Sequence, residues 1–235
     1  LIIIGGFGYL AAFDIWSHRK VRRFADLKLH TKIMLIGTTL LIVLGVIIIL
    51  GVEWANPKTL GPLPMWDKVM AAIFQSVTPR TAGIATVDYG QLHPITLFVS
   101  IILMFIGAGP NSTGGGVKIS TVMVAILASC TLFNNRSDVE VFGRRISMVT
   151  VLKANGIIFL SILLVLLATC YLAWDEPFDF IRLLFEVTSA FGTVGLTTGI
   201  TPDLSESSKW VLILVMFTGR VGVMTVIGTW ALRTK

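Results

Sequence analysis

Phe191-Gly192-Thr193-Val194-Gly195-Leu196-Thr197-Thr198-Gly199 is the stretch on which the reading of this chain turns. Its Thr193-Val194-Gly195-Leu196 differs at one position from the Thr-Val-Gly-Tyr ladder whose backbone carbonyls replace the hydration shell of a cation. Glycine there lets the backbone turn its carbonyls toward an ion with no side chain in the way. A second run, Thr81-Ala82-Gly83-Ile84, lies 112 positions earlier, and each run follows an apolar stretch too short to cross a bilayer. Two such runs in the same surroundings imply an ion-conducting pore. Their backbone carbonyls are the expected ion-binding groups.

The register extends beyond the tetrapeptides. Trp66-Asp67 matches Phe178-Asp179, Thr86 matches Thr198, Met104-Phe105 matches Met216-Phe217, and Gly107 matches Gly219. An ungapped offset over about 40 residues reads as an internal duplication. The opening Ile2-Ile3-Ile4-Gly5-Gly6-Phe7-Gly8 resembles Val215–Gly222, the tail of a further copy. With no initial Met, the chain is expected to be a piece of a longer protein.

Hydrophobic residues make up 54% of the chain and charged residues 14%. A soluble domain of this length cannot hide so much apolar surface, so an integral membrane protein is expected. The net charge of +6 sits in loops between apolar spans. That distribution marks topology and not nucleic-acid binding. Cys130 and Cys170 lack metal-ligand spacing and are expected to be small buried hydrophobes.

Residues 1–16 read as the end of one apolar helix, and 17–32 as a basic linker on the cytoplasmic side. Ile33–Val52 is one full crossing, Glu53–Pro64 an outer loop, and Met65–Val77 a re-entrant helix stopped by Thr78-Pro79. The largely apolar run 95–133 is nearly two crossings long, but Gly107–Gly116 cannot be continuous helix. Two crossings would place Arg136, Arg144, Arg145 and Lys153 outside. A single broken crossing keeps them with Arg19–Arg23, so the positive-inside rule selects a loop within the membrane. After the linker 134–148, Val149–Leu172 crosses outward, Phe178–Phe191 is the second re-entrant helix, and Trp210–Leu232 returns inward. Both copies run the same way: helix, short helix, filter, helix. The expected fold class is an all-α integral membrane protein of tandem parallel repeats.

The ion-binding candidates are therefore the carbonyls of Thr81, Ala82, Gly83, Ile84, Thr193, Val194, Gly195 and Leu196. The C-terminal dipole of each short helix favours a cation beside them. Arg220 lies near the middle of the last crossing, where a charge is expensive and functional by default. It is expected to face the pore and bind carbonyls of the glycine loop; the competing role is structural pairing with Glu186, which also has Arg182 one turn away. The gate candidates are Gly107, Gly109, Asn111, Ser112, Thr113, Gly114, Gly115, Gly116, Lys118 and Arg220. For Lys118, anchoring the loop is the alternative. Asp88, His93, Asp203 and Glu206 are read as a solvated outer rim. Gly109 to Gly114 has phosphate-loop spacing, but Gly116-Val117-Lys118-Ile119 lacks Gly-Lys-[Ser/Thr], so a nucleotide site is rejected.

The combination of Thr78-Pro79-Arg80-Thr81-Ala82-Gly83, the loop 107–118, the run 191–199 and Phe217-Thr218-Gly219-Arg220-Val221-Gly222 resembles the Trk/Ktr/HKT superfamily. Membrane subunits of bacterial Ktr potassium uptake systems are the most similar type. The resemblance implies four M1–P–M2 units around a pseudo-fourfold pore, with 33–133 as the third unit and 149–235 as the fourth. It implies K+ as the transported ion, a homodimer in the cell membrane, and a cytosolic RCK-type (KtrA-type) nucleotide-binding ring as partner. Nucleotide is then expected only on that ring, and no covalent cofactor. Two of the four filters would lie outside this chain, which on its own is not expected to conduct. The first filter often separates K+ from Na+ in this superfamily, so a Na+-permeable member stays open.

An ion-coupled carrier with broken helices is a second reading, and a non-conducting scaffold subunit a third. An enzyme is not expected: His-Glu-x-x-His, Gly-x-Ser-x-Gly and intramembrane acidic clusters are absent from the sequence.

Overall fold

The computed structural model describes residues 2–17, 24–112, 114–133 and 139–226. Its helices are α1 (Ile2–Gly6), α2 (Tyr9–Ser17), α3 (Leu29–Glu53), α4 (Met65–Val77), α5 (Pro94–Phe105), α6 (Ile119–Phe133), α7 (Met148–Asp175), α8 (Phe180–Gly192) and α9 (Glu206–Val221). At 1.5 Å per residue α3 and α7 reach about 37 and about 42 Å, enough for a hydrocarbon core of about 30 Å. The other helices are too short to span alone.

The copies fold alike. α3 packs on α4 and α5, α7 packs on α8 and α9, and α5 joins the two units by lying against α8. Leu172, Leu183, Val187, Phe191, Leu212 and Val215 form the largest core cluster, and Ile49, Leu60 and Ala72 fill the matching place between α3 and α4.

Four expectations are corrected. The helix expected through residues 1–15 is broken at Gly8 (φ 79°), and the final crossing expected to run to Leu232 is interrupted at Gly222 (φ 94°), turns helical again over 223–226, and from 227 on lies outside the described residues. Gly8, Pro110 and Gly222 occupy one register, but the copies break differently: two are interrupted next to the glycine, whereas α5 already ends at Phe105 and Pro110 lies within the long loop before Ile119. Glycine and proline each interrupt the helical ladder there, and the apolar run on either side hides the interruption from hydropathy.

The linker 134–148 is not wholly irregular, and the chain is mostly helical but not all-α. β1 (Val139–Val141) and β2 (Arg144–Ile146) form an antiparallel hairpin around Phe142 (φ 53°) and Gly143 (φ 71°). Two successive positive φ values are the mark of a type I′ turn. Lys32 ties this hairpin to the start of α3. Its ammonium donates to the Ala25 carbonyl at 2.7 Å and lies between the rings of Phe24 and Phe142. The cysteines, finally, are exposed. Apolar residues of a spanning helix face outward as readily as inward, so burial did not follow from hydropathy.

Glu53 ends α3 and is fully buried. Its Oε1 accepts from His93 N–H (2.8 Å) and Thr96 Oγ1 (2.6 Å), and its Oε2 from Asn56 Nδ2 and Thr59 Oγ1 (both 2.6 Å). The C-terminal end of α3 is thereby fixed to the first turn of α5. In the next copy Glu176 accepts Ser205 N–H at 2.7 Å, fixing α7 to α9. Ser205 stands in register with His93, but Glu176 is not in register with Glu53, because the outer loop of the earlier copy is longer.

Burial works against the charge of Glu176, yet the Ser205 N–H and the Ser205 and Ser208 hydroxyls hold its carboxyl below the usual range. Its contribution is thus present above the ordinary carboxylate range and lost as pH falls through the depressed value. Removing a buried, fully bonded carboxylate leaves its donors stranded, at about 3 kcal/mol or more. Glu53→Ala is therefore expected to lower the Tm of the detergent-solubilised protein by several degrees. An unchanged Tm contradicts the clamp.

Candidate functional site

The two candidate filters adopt one backbone pattern. Thr81 and Gly83 have φ of 65° and 68°, Thr193 and Gly195 have 51° and 92°, and the residues between them are not in the left-handed region. Alternating the sign of φ turns successive carbonyls to the same side of a strand. A β-branched Thr at positive φ costs on the order of 1–3 kcal/mol. Its presence at equivalent positions marks a conformation the surroundings impose.

The strands also touch. A Cβ added to Gly83 would run into the Val194 carbonyl oxygen, and one added to Gly195 would meet the Gly83 Cα at 3.8 Å. The Val194 and Leu196 side chains turn away into a cluster with Tyr89, Met104 and Phe185. Ile84 is 58% exposed.

The first strand is held by a side chain at the end of the preceding helix, the second by backbone bonds from Thr193 N–H to Ala190 O and from Val194 N–H to Ser189 O. Thr78 Oγ1 donates to Ile84 O (2.6 Å) and accepts from Ile84 N–H (3.1 Å). Beyond the filters, Gln75 Nε2 donates to Thr86 Oγ1 at 3.1 Å. The matching Thr198 gives its N–H (2.8 Å) and hydroxyl (3.2 Å) to Glu186 Oε1. Glu186 also accepts from Thr197 and Thr201. Its carboxylate is thus engaged by three threonines, not by the Arg182 or Arg220 pairing considered from sequence. The sequence reading missed this role because Gln75 and Glu186 lie one position out of register.

The glycine loop sits directly beneath both strands. A Cβ on Gly114 would press on the Thr81 side chain at 2.9 Å, and one on Gly115 would meet Thr193 Oγ1 at 2.6 Å. Gly115 N–H donates to that hydroxyl at 3.1 Å. Gly107 N–H bonds Val117 O, Gly109 N–H bonds Gly6 O, Tyr9 N–H bonds Asn111 O, and Gly116 N–H bonds Gly219 O, at 2.8–3.4 Å. Ser112 Oγ closes the turn on Gly109 O at 2.6 Å. Thr113 lies outside the described residues. Lys118 anchors the loop, its ammonium donating to Gly114 O at 2.5 Å. Arg220, one residue past Gly219, lines a cavity of about 180 Å³ together with Gly116 and Lys118. The structure thus brings Gly116 of the loop, Lys118 and Arg220 together around one cavity.

Arg80 is a site the sequence did not single out. It is 6% exposed just before the first strand, and its guanidinium reaches only the Thr38 carbonyl, at 3.5 Å. Asp88 caps its own turn through Gly90 N–H, and the backbone N–H of His93 is held by Glu53, while both residues are exposed.

The sequence matches the TrkH cation transport protein family over residues 1–233. The chain belongs to that family. It is 39% identical over 231 residues to Ktr system potassium uptake protein B of Bacillus subtilis, covering 98% of this chain and 51% of the relative. It is 42% identical over 225 residues to the protein of the same name from Vibrio alginolyticus, covering 96% and 49%. It is 39% identical over 233 residues to the potassium/sodium uptake protein NtpJ of Enterococcus hirae, covering 97% and 50%. The chain spans about half the length of these curated relatives. Its fold is that of the crystal structure of the potassium transporter TrkH from Vibrio parahaemolyticus, with a TM-score of 0.76 at 20% identity over 96% of this chain and 49% of that one. The relatives are transport proteins, not enzymes.

Thr78 supplies both partners of Ile84, so Thr78→Val is expected to speed amide hydrogen exchange across 82–86, while Thr78→Ser leaves it slow. Equal exchange in both variants contradicts the role given to the hydroxyl.

Proposed function

We propose that this chain is part of the pore-forming membrane subunit of a channel-like potassium uptake system. K+ passes along the carbonyls of 81–84 and 193–196, and the loop 107–116 with Lys118 and Arg220 closes the path beneath them. The observation that carries this reading is the pair of strands with alternating φ, in contact with each other and resting on Gly114 and Gly115. The names of the two Ktr relatives support potassium as the ion. In this reading the tandem parallel repeats, each helix, re-entrant pore helix, filter and helix, stand around a pseudo-fourfold pore. The exposed face at Ile84 is where the filters of the preceding copies complete the ring. The basic linkers lie in the cytoplasm, the subunit forms a homodimer in the cell membrane, and a cytosolic nucleotide-binding ring of RCK type drives the loop; a relative named for a "system" accords with partner components.

A backbone ladder suits K+ because carbonyl dipoles substitute for water without committing a full charge, so the ion leaves as readily as it enters. A fixed cation below the ladder raises the barrier to another cation. The loop's position under both threonines makes its displacement the step that opens the path.

A second reading, passage of both K+ and Na+, is favoured by the relative named potassium/sodium uptake protein. Rb+ uptake into liposomes by the full-length protein, competed by K+ or Na+, separates the two. The expected result is block by K+ and hardly by Na+, with that preference weakened by Gly195→Ser. Normal uptake and preference in Gly195→Ser would remove the filter assignment and bring forward a carrier or scaffold.

Arg220→Ala and Lys118→Met are each expected to raise basal Rb+ uptake several-fold at equal expression. Unchanged flux in both variants contradicts the gate.

A further inference from the structure

Apart from the filter and its gate, the structure holds a cavity of about 370 Å³ where three elements meet at their basic-linker ends. Leu29, His30 and Ile33 of α3 form one wall, Ser120, Thr121 and Val124 of α6 the second, and Thr150, Lys153, Ala154 and Ile157 of α7 the third. The lining is divided as a phospholipid is. Leucine, isoleucine, valine and alanine supply an apolar wall, while an ammonium, an imidazole and three hydroxyls supply a polar one.

Among the described residues, no acid lines the cavity. Asp14, the acid near His30, lies outside it and accepts from Lys28 N–H and Thr31 Oγ1. Lys153 has no hydrogen bond or ion pair among the described residues, and His30 Nε2 is buried with no partner. An unbonded buried nitrogen carries a desolvation cost that an acceptor would relieve. Phosphate oxygens are such acceptors, and they suit a lysine beside them.

The cavity is also joined to the gate. Thr121 and Ile157 line both it and the smaller cavity that holds Lys118, Gly116 and Arg220. Whatever fills the larger one presses on the first turn of α6. That turn follows Lys118, whose ammonium holds the Gly114 carbonyl.

We propose that this cavity binds the headgroup of an anionic phospholipid from the inner leaflet, with Lys153 and His30 on the phosphate, and that the bound lipid steadies α6 beneath the glycine loop. The site rests on the proposed orientation, in which the basic linkers are cytoplasmic. Basic pockets between membrane helices on that side are suited to anionic headgroups, and each lysine near an anionic surface contributes about 1 kcal/mol.

The test is native mass spectrometry of the delipidated full-length protein, titrated with phosphatidylglycerol or phosphatidylcholine. The first phosphatidylglycerol is expected to bind about fivefold more tightly than the first phosphatidylcholine. Lys153→Gln removes that preference, Lys153→Arg retains it, and Val124→Phe, which narrows the apolar wall, lowers occupancy by both lipids. Equal binding of the two lipids by the native protein, or an undiminished preference in Lys153→Gln, overturns the site. So does displacement of phosphatidylglycerol by millimolar inorganic phosphate, which would make it a free-anion site. Rb+ uptake is read separately. Normal uptake without lipid preference overturns this site alone, whereas lipid preference without uptake supports it and overturns the transport reading.

Discussion

Backbone that leaves the helix at membrane depth has no water to bond, so every N–H and C=O there must find a partner inside the protein. Among the described residues, segment 106–118 finds several of its partners by borrowing. Its own ends pair through Gly107 N–H to Val117 O and Val117 N–H to Phe105 O. Its middle uses Gly6 O from the first helix, Thr193 Oγ1 from the last filter and Gly219 O from the last helix. A loop satisfied by three different copies cannot move without disturbing all of them. That coupling makes it suited to a gate, and it explains why so many glycines are packed into ten residues: carbonyls and threonine side chains occupy the space where Cβ atoms would stand.

Duplication sets the frame, and departures from it mark where the copies do different work. Gly8, Pro110 and Gly222 share a register, yet only in the copy of Pro110 does the helix end early, at Phe105, and open into a long loop. Arg220 occupies the place of Gly6 and Ala108, and Arg80 the place of Gly192, so each filter has its own neighbouring charge. By contrast, the carboxylate clamps at Glu53 and Glu176 do the same work in both copies from positions that do not align.

The helices were legible because hydropathy and length report crossings directly. Met65–Val77 came out with the ends expected from Thr78-Pro79, and the unwound stretch of 107–118 followed from its glycines and Pro110. Three kinds of feature were not legible. Single-residue breaks at Gly8 and Gly222 sit within apolar runs that look continuous. The hairpin at 139–146 depends on a two-residue turn in a segment too short to show alternation. The Glu53, Glu186 and Gln75 contacts are tertiary, and loop length or a one-residue slip moves them off the repeat register. Of the candidate site, the sequence singled out the two strands, the loop, Lys118 and Arg220 but not Arg80, because glycines and a charge in mid-span are rare enough to be noticed. It did not find Thr78, whose hydroxyl serves two backbone groups that only the fold brings near.

The central claim is that the carbonyls of 81–84 and 193–196 hold the passing ion. The most direct measurement is the anomalous density of Rb+ in a crystal of the full-length protein grown in that ion. The account predicts peaks between the two strands, coordinated by backbone oxygens including those of Ala82 and Val194. Rb+ bound instead by side-chain carboxylates, with no density between the strands, would contradict it.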